Sequence, residues 1–141
     1  MCRFELKQEI KRKNVPVISV VGEAYIYTGG VHGTSSRIAK NIDIQKNTVL
    51  TLGDLFEDGS YEDALNREIQ KIVDNNPEQY HDLWEKPIIS GIHREFFYLS
   101  DKGLVIFYPP YELSYYARGF VEFCIPYAQI KSYLRSEYKN L

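Results

Sequence analysis

Three histidines, His32, His81 and His93, are the residues in this chain best suited to acid–base or metal chemistry. A locally built zinc site needs a second His or Cys one helical turn away, or a few residues on in a turn. None of the three has one. The arrangement left open is a site assembled in space from His32, His93 and a carboxylate; the plainer reading makes each a structural or solvent-facing side chain. The expectation is therefore no metal and no cofactor. The run Gly29-Gly30-Val31-His32-Gly33 has the glycines of an anion-cradling loop, whose backbone N–H groups converge on phosphate. A phosphate loop continues through Lys-Ser/Thr into a helix, whereas Thr34-Ser35-Ser36 leads into a strand pattern. Glycines that let the chain turn sharply explain this run better.

Nucleophilic chemistry finds no better footing. A serine nucleophile would sit in a Gly-x-Ser-x-Gly elbow, and the chain has none. Cys124, in Phe123-Cys124-Ile125, lacks a basic neighbour to stabilise a thiolate and reads as a buried thiol. Glu95, Asp101 and Glu112 could be paired for glycoside cleavage, but nothing in their spacing selects them from nineteen acids. No catalytic residue is assigned. What remains is Pro110-Tyr111-Glu112-Leu113-Ser114-Tyr115-Tyr116, where stiff prolines flank aromatic rings with hydroxyl tips. Such surfaces bind proteins or sugars at low entropic cost. The candidate ligand-binding residues are Pro110, Tyr111, Glu112, Tyr115 and Tyr116, with His32 added from the glycine loop. The alternative, that these rings cap the core where two strands leave it, stays open.

The elements that must position these residues follow from periodicity. Phe4 to Lys11 alternates imperfectly and predicts an edge strand, broken at Asn14; Val15 to Thr28 predicts a long strand with a bulge or bend at Gly22. Arg37 to Gln45 and Thr48 to Thr51 predict a hairpin turning at Lys46-Asn47, followed by a helical turn at Leu52 to Phe56. The one strong helix starts after Ser60, a candidate N-cap, with Glu62 and Asp63 in its first turn. Its apolar stripe is Tyr61, Leu65, Ile69, Ile72 and Val73, and Asn75-Asn76-Pro77 ends it before a shorter helix over 77–84. Glu95 to Leu99 and Leu104 to Tyr108, around Ser100-Asp101-Lys102-Gly103, are apolar or aromatic on both faces, which predicts a central, covered hairpin. A strand from Phe120 to Ile125 and a final helix opening at Pro126, with Tyr127, Ile130 and Leu134 buried, complete the pattern. The fold class expected is α+β: an antiparallel sheet of about five to seven strands packed on one main helix plus short helices, in a single domain over 1–141.

Composition supports a folded chain and limits its partners. At 141 residues, 44% hydrophobic and 26% charged, the chain can bury a core but is short for two. Seventeen basic against nineteen acidic residues leave a net charge of −2, which argues against nucleic acid. The basic run Lys11-Arg12-Lys13 reads as a solvated turn. Two cysteines, Cys2 and Cys124, make no disulfide framework. Cys2 has the place of a lipoprotein's acylated cysteine, but no apolar segment precedes it. No apolar run approaches the ~20 residues of a membrane span, so no direct membrane insertion is expected.

Taken together, Tyr25-Ile26-Tyr27-Thr28-Gly29-Gly30-Val31-His32-Gly33, Asn41-Ile42-Asp43 and Leu52-Gly53-Asp54-Leu55-Phe56 resemble the C-terminal domain of RsiV-type anti-sigma factors, domain of unknown function 3298. Phe97 to Tyr108, Pro110-Tyr111-Glu112, Tyr116-Ala117-Arg118-Gly119 and Phe123-Cys124-Ile125-Pro126-Tyr127 resemble its closing hairpin, loop and helix. The resemblance implies an extracytoplasmic domain of the bacterial cell envelope, membrane- or wall-associated in the parent family. There it occurs in an anti-sigma factor that binds lysozyme and beside peptidoglycan deacetylase domains. The family usually carries a strand and helix ahead of the Phe4 strand, so this chain is expected to be N-terminally incomplete, with an edge or groove that a homodimer could cover. The expected function is a non-enzymatic binding domain that contacts a lysozyme-like protein or a wall glycan. A wall-active hydrolase or deacetylase using His32, and a structural module for a neighbouring domain, are the alternatives.

Overall fold

The computed structural model of the protein describes residues 3–12 and 16–141. Among the described residues, seven strands form two antiparallel sheets. The first has the order β1-β2-β3-β4, from β1 (Arg3–Arg12), β2 (Val17–Tyr27), β3 (Thr34–Asp43) and β4 (Thr48–Val49). The second has the order β5-β6-β7, from β5 (Phe97–Leu99), β6 (Gly103–Tyr108) and β7 (Val121–Pro126). Between them come α1 (Tyr61–Asn75) and the one-turn α2 (Pro77–Tyr80); α3 (Tyr127–Ile130) follows β7. The fold is α+β, with one main helix and short helices as the sequence predicts; the strands divide into two sheets.

The division follows from the two-faced hairpin. Along β6, Leu104, Ile106 and Tyr108 join the larger core with Leu65 and Ile69 of α1, while Val105 and Phe107 meet Val21 and Ala39 of the first sheet. The second sheet is thus the middle layer, covered on one side by α1 and on the other by the first sheet. Polar side chains help join the two sheets. Ser19 Oγ donates to Asn41 Oδ1 at 2.6 Å and accepts from the Leu99 amide at 3.0 Å; Asn41 Nδ2 donates to the Phe97 carbonyl at 2.9 Å. These bonds satisfy the open edge of β5 within the interior.

Several predicted details move. The register runs unbroken through Gly22, opposite Gln8 and Ile38, and the irregularity lies in β1 between Ile10 and Arg12. β3 starts at Thr34, and the turn after it is set by Asp43, whose Oδ1 accepts from the Gln45 and Lys46 amides. Ser60 precedes α1 but its side chain makes no capping bond, because its backbone is already helical. The second helix is confined to Pro77–Tyr80. Cys124 is exposed, not buried: its neighbours Phe123 and Ile125 point inward, and the period of two turns Cys124 outward. Lys11 and Arg12 end β1, while Cys2, Lys13, Asn14 and Val15 lie outside the described residues. Among the described residues no helix is long and apolar enough to cross a membrane.

Candidate functional site

The tyrosine loop is held from beneath. Pro109 and Pro110 end β6, and the Glu112 amide donates to the Pro109 carbonyl at 3.2 Å, closing a turn in which Tyr111 adopts φ 73°. A bulky residue in that region is uncommon and marks a position fixed by its surroundings. Leu113 and Ser114 point inward: the Leu113 carbonyl accepts from the Trp84 amide at 2.9 Å, and Ser114 Oγ donates to the Asp82 carbonyl at 3.0 Å. Arg118 Nη1 bonds both oxygens of Asp82, at 2.8 and 3.0 Å, and its Nη2 reaches the Gln79 carbonyl. Tyr111 and Tyr115 stay 58% and 50% exposed above this base.

The glycine loop comes to meet it. His32 stacks on Tyr116 with centroids 4.0 Å apart and planes 18° off parallel, and Tyr111 tilts against the same ring at 5.2 Å. The Tyr116 hydroxyl donates to the Gly33 carbonyl at 2.5 Å and accepts from the Ser35 amide at 3.2 Å. His32 Nδ1–H donates to the same carbonyl at 2.8 Å, since a carbonyl can only accept. Gly29 and Gly30, at φ 103° and 105°, make the preceding turn. At Gly33 a Cβ would lie 2.5 Å from the Tyr25 ring, so only glycine lets these chains approach.

His32, Tyr111 and Tyr116 therefore share one surface, although Gly33 and Tyr116 are 83 residues apart in the chain. Tyr115 and Glu112 project beside it without a ring contact, and Pro110 is half-buried. His93 does not join them. It is fully buried under β6, its Nδ1 accepting from the Ser90 amide at 3.0 Å and its ring edge-on to Tyr108 at 4.3 Å. Nε2 then carries the proton and has no hydrogen-bond partner among the described residues. Burial holds the His93 pKa down to about 4, against a smaller opposite pull from the backbone of Ser90 and Phe107. Asp101 and Glu112 stand near opposite ends of β6, and Glu95 precedes β5. Among the described residues no three His, Cys, Asp or Glu side chains are placed to hold a metal.

Sequence reasoning missed the charged cluster beside this surface. Arg37, from β3, lies over the rings of Phe107 at 4.8 Å and Phe120 at 4.2 Å. Its guanidinium bonds Glu23 Oε1 and Glu122 Oε1, and Glu122 Oε2 accepts from the Tyr98 hydroxyl at 2.9 Å. Burial first, and then the Glu122 carboxylate, push the Tyr98 pKa well above the ordinary phenol value. A groove of about 230 Å³ opens alongside, lined by Glu5, Lys7, Glu23, Tyr25, Ser35 and Phe120. Ser35 links it to the ring cluster through Tyr116. The signal was present: Glu23 and Arg37 face each other across β2 and β3, opposite charges within strand patterns otherwise read only for apolar residues.

Comparison with known proteins places this architecture. A DUF3298 family member from Bacteroides fragilis, known from its crystal structure, is similar with a TM-score of 0.78 and 23% identity, over 96% of this chain and 55% of that one. A DUF3298 family protein from Pseudomonas aeruginosa gives 0.69 and 17%, over 96% of this chain and 63% of that one. At these identities the likeness establishes the fold, and the chain spans somewhat over half the length of either relative. No curated protein matches. The profile of the family described as "Protein of unknown function (DUF3298)" matches residues 53–128, which include α1, β5, β6, β7 and the tyrosine loop. The chain belongs to the DUF3298 family.

Proposed function

We propose that this domain is a binding module of the bacterial cell envelope, not a catalyst, and that it recognises a wall glycan through Tyr111, Tyr115, Tyr116 and His32. The observation that carries this reading is the convergence of two distant loops on one ring cluster whose base is tied by buried hydrogen bonds while Tyr111 and Tyr115 remain exposed. Rings fixed in advance lose little entropy on binding. Flat faces with hydroxyl tips, next to a groove with carboxylates, an ammonium and serine hydroxyls, suit the alternating apolar and hydroxylated faces of a sugar. The envelope location and the RsiV-type relationship rest on the sequence resemblance. Catalysis through His32 is the weaker reading, because its Nδ1 is used on the Gly33 carbonyl and its ring is packed on Tyr116.

The test is titration calorimetry of the domain against defined muropeptides and glycan strands, with lysozyme as a parallel arm. Tyr111→Ala and Tyr116→Ala are each expected to weaken glycan binding about tenfold, the ~1.4 kcal/mol of one aromatic anchor. Failure of the intact domain to bind any glycan overturns the reading. Binding to lysozyme alone would make the partner a protein.

A further inference from the structure

We infer that a glycan bound at the tyrosine loop runs on to Trp84, whose ring stacks a further sugar of the same strand; this rests on the glycan reading above. Trp84 is 54% exposed, and its ring has no aromatic or cationic partner among the described residues. An indole left this open is of the kind that partners cover. It lines a shallow groove of about 430 Å³ between the second half of α1 and the chain after α2. Val73, Leu83 and Pro87 give the groove its apolar surface. Gln70, Glu85 and Lys86 add polar groups of both kinds. Glu85 and Lys86 have no partner among the described residues, and Gln70 donates to Asp74 Oδ1 at 2.8 Å, which leaves its own carbonyl oxygen to accept. An aromatic face with donors and acceptors beside it suits a pyranose, which is apolar on its face and hydroxylated at its edge.

The groove and the tyrosine loop share one rigid support. The Trp84 amide donates to the Leu113 carbonyl at 2.9 Å, in the middle of that loop, and Ser114 Oγ holds the Asp82 carbonyl two residues before Trp84. Arg118 grips the Asp82 carboxylate and the Gln79 carbonyl, and its guanidinium lies 5.8 Å from the ring centroid of Tyr80, which also lines the groove. Tyr80 in turn stacks on Phe123 of β7 at 5.1 Å. Because α2 ends at Tyr80, the place of Trp84 is set by these bonds and not by a continuing helix. Trp84 is thus fixed relative to Tyr111 and Tyr115 before a ligand arrives. A strand already held at the tyrosines then gains the second contact intramolecularly, at little further entropic cost. Separate aromatic stations set in advance suit a linear polymer of repeating rings, which is why the groove is assigned to the glycan and not to a second partner.

Trp84 is the one tryptophan of the chain, so tryptophan emission reports on this groove alone. The test is fluorescence and calorimetric titration with a disaccharide and a hexasaccharide of the wall glycan. The hexasaccharide is expected to shift the Trp84 emission and shield it from acrylamide, saturating with the calorimetric curve. That readout needs no variant. Trp84→Ala is expected to weaken hexasaccharide binding about tenfold, with Trp84→Phe recovering part of the loss and the disaccharide unaffected. Hexasaccharide binding that leaves the emission unchanged, or that Trp84→Ala does not weaken, overturns this inference and leaves the tyrosine reading intact. An emission change that persists at full affinity in Tyr116→Ala overturns the shared strand and removes the tyrosines from the site. No binding by the intact domain overturns both. Loss of lysozyme binding alone in Trp84→Ala would make the occupant a protein and overturn the assignment to a sugar.

Discussion

His93 and Asp43 are both buried titratable residues, and their surroundings act on them in opposite ways. Burial lowers the His93 pKa but raises that of Asp43, where the Tyr138 hydroxyl at 2.5 Å and the Lys46 and Gln45 amides outweigh it and hold the carboxyl below its usual value. Asp43 is therefore a charged anchor that ties the end of β3 to the C-terminal segment. At His93 the opposing pull of the backbone is too small to offset burial, and the ring stays neutral. Its folded pKa of about 4 lies below the ordinary 6.5, so as pH falls the unfolded chain takes up the proton first. Its contribution is complete above about pH 6.5 and is lost as pH drops towards 4, amounting to about 3 kcal/mol over that window. Urea unfolding at a series of pH values should show this loss, and His93→Gln, whatever its overall stability, should flatten the slope. An unchanged slope in His93→Gln would assign the acid sensitivity to other groups.

At the scale of elements, the β5–β6 hairpin was legible because its physics is local. Runs apolar on both faces can only sit between two layers, and a Gly at the turn exit marks where β6 begins. The structure adds why that residue is Gly103: a Cβ there would overlap the Ile125 carbonyl of β7. Gly103→Ala is expected to lower stability by about 1–3 kcal/mol, measured as a shift of the urea midpoint with unchanged slope. A neutral effect would mean that β7 moves aside freely. The Ser19–Asn41 bridge was not legible, because a strand pattern reports which face a residue occupies and not which backbone edge its side chain will satisfy. Cys124 failed for a related reason. An apolar-looking triplet fixes an alternation but not its phase, and the phase belonged to Phe123 and Ile125.

For the whole molecule, the class, the main helix and the central hairpin could be read from periodicity, while the partition of strands into two sheets could not. That partition depends on which surface the middle layer offers to β2 and β3, a long-range choice. The candidate site was half visible in the same sense. The tyrosines and His32 could be named singly, but their meeting depends on Gly33 admitting Tyr25 at close range and on Tyr116 bridging two loops. The first sheet's outer face leaves Ile10, Ile26 and Ile38 exposed. The central claim, glycan recognition by the ring cluster, is tested most directly by following backbone amide and aromatic NMR signals while glycan strands are added. The account predicts that the largest saturable shifts fall on His32, Tyr111, Tyr115 and Tyr116 and vanish in Tyr116→Ala. Shifts confined to another surface, or none at all, would contradict it.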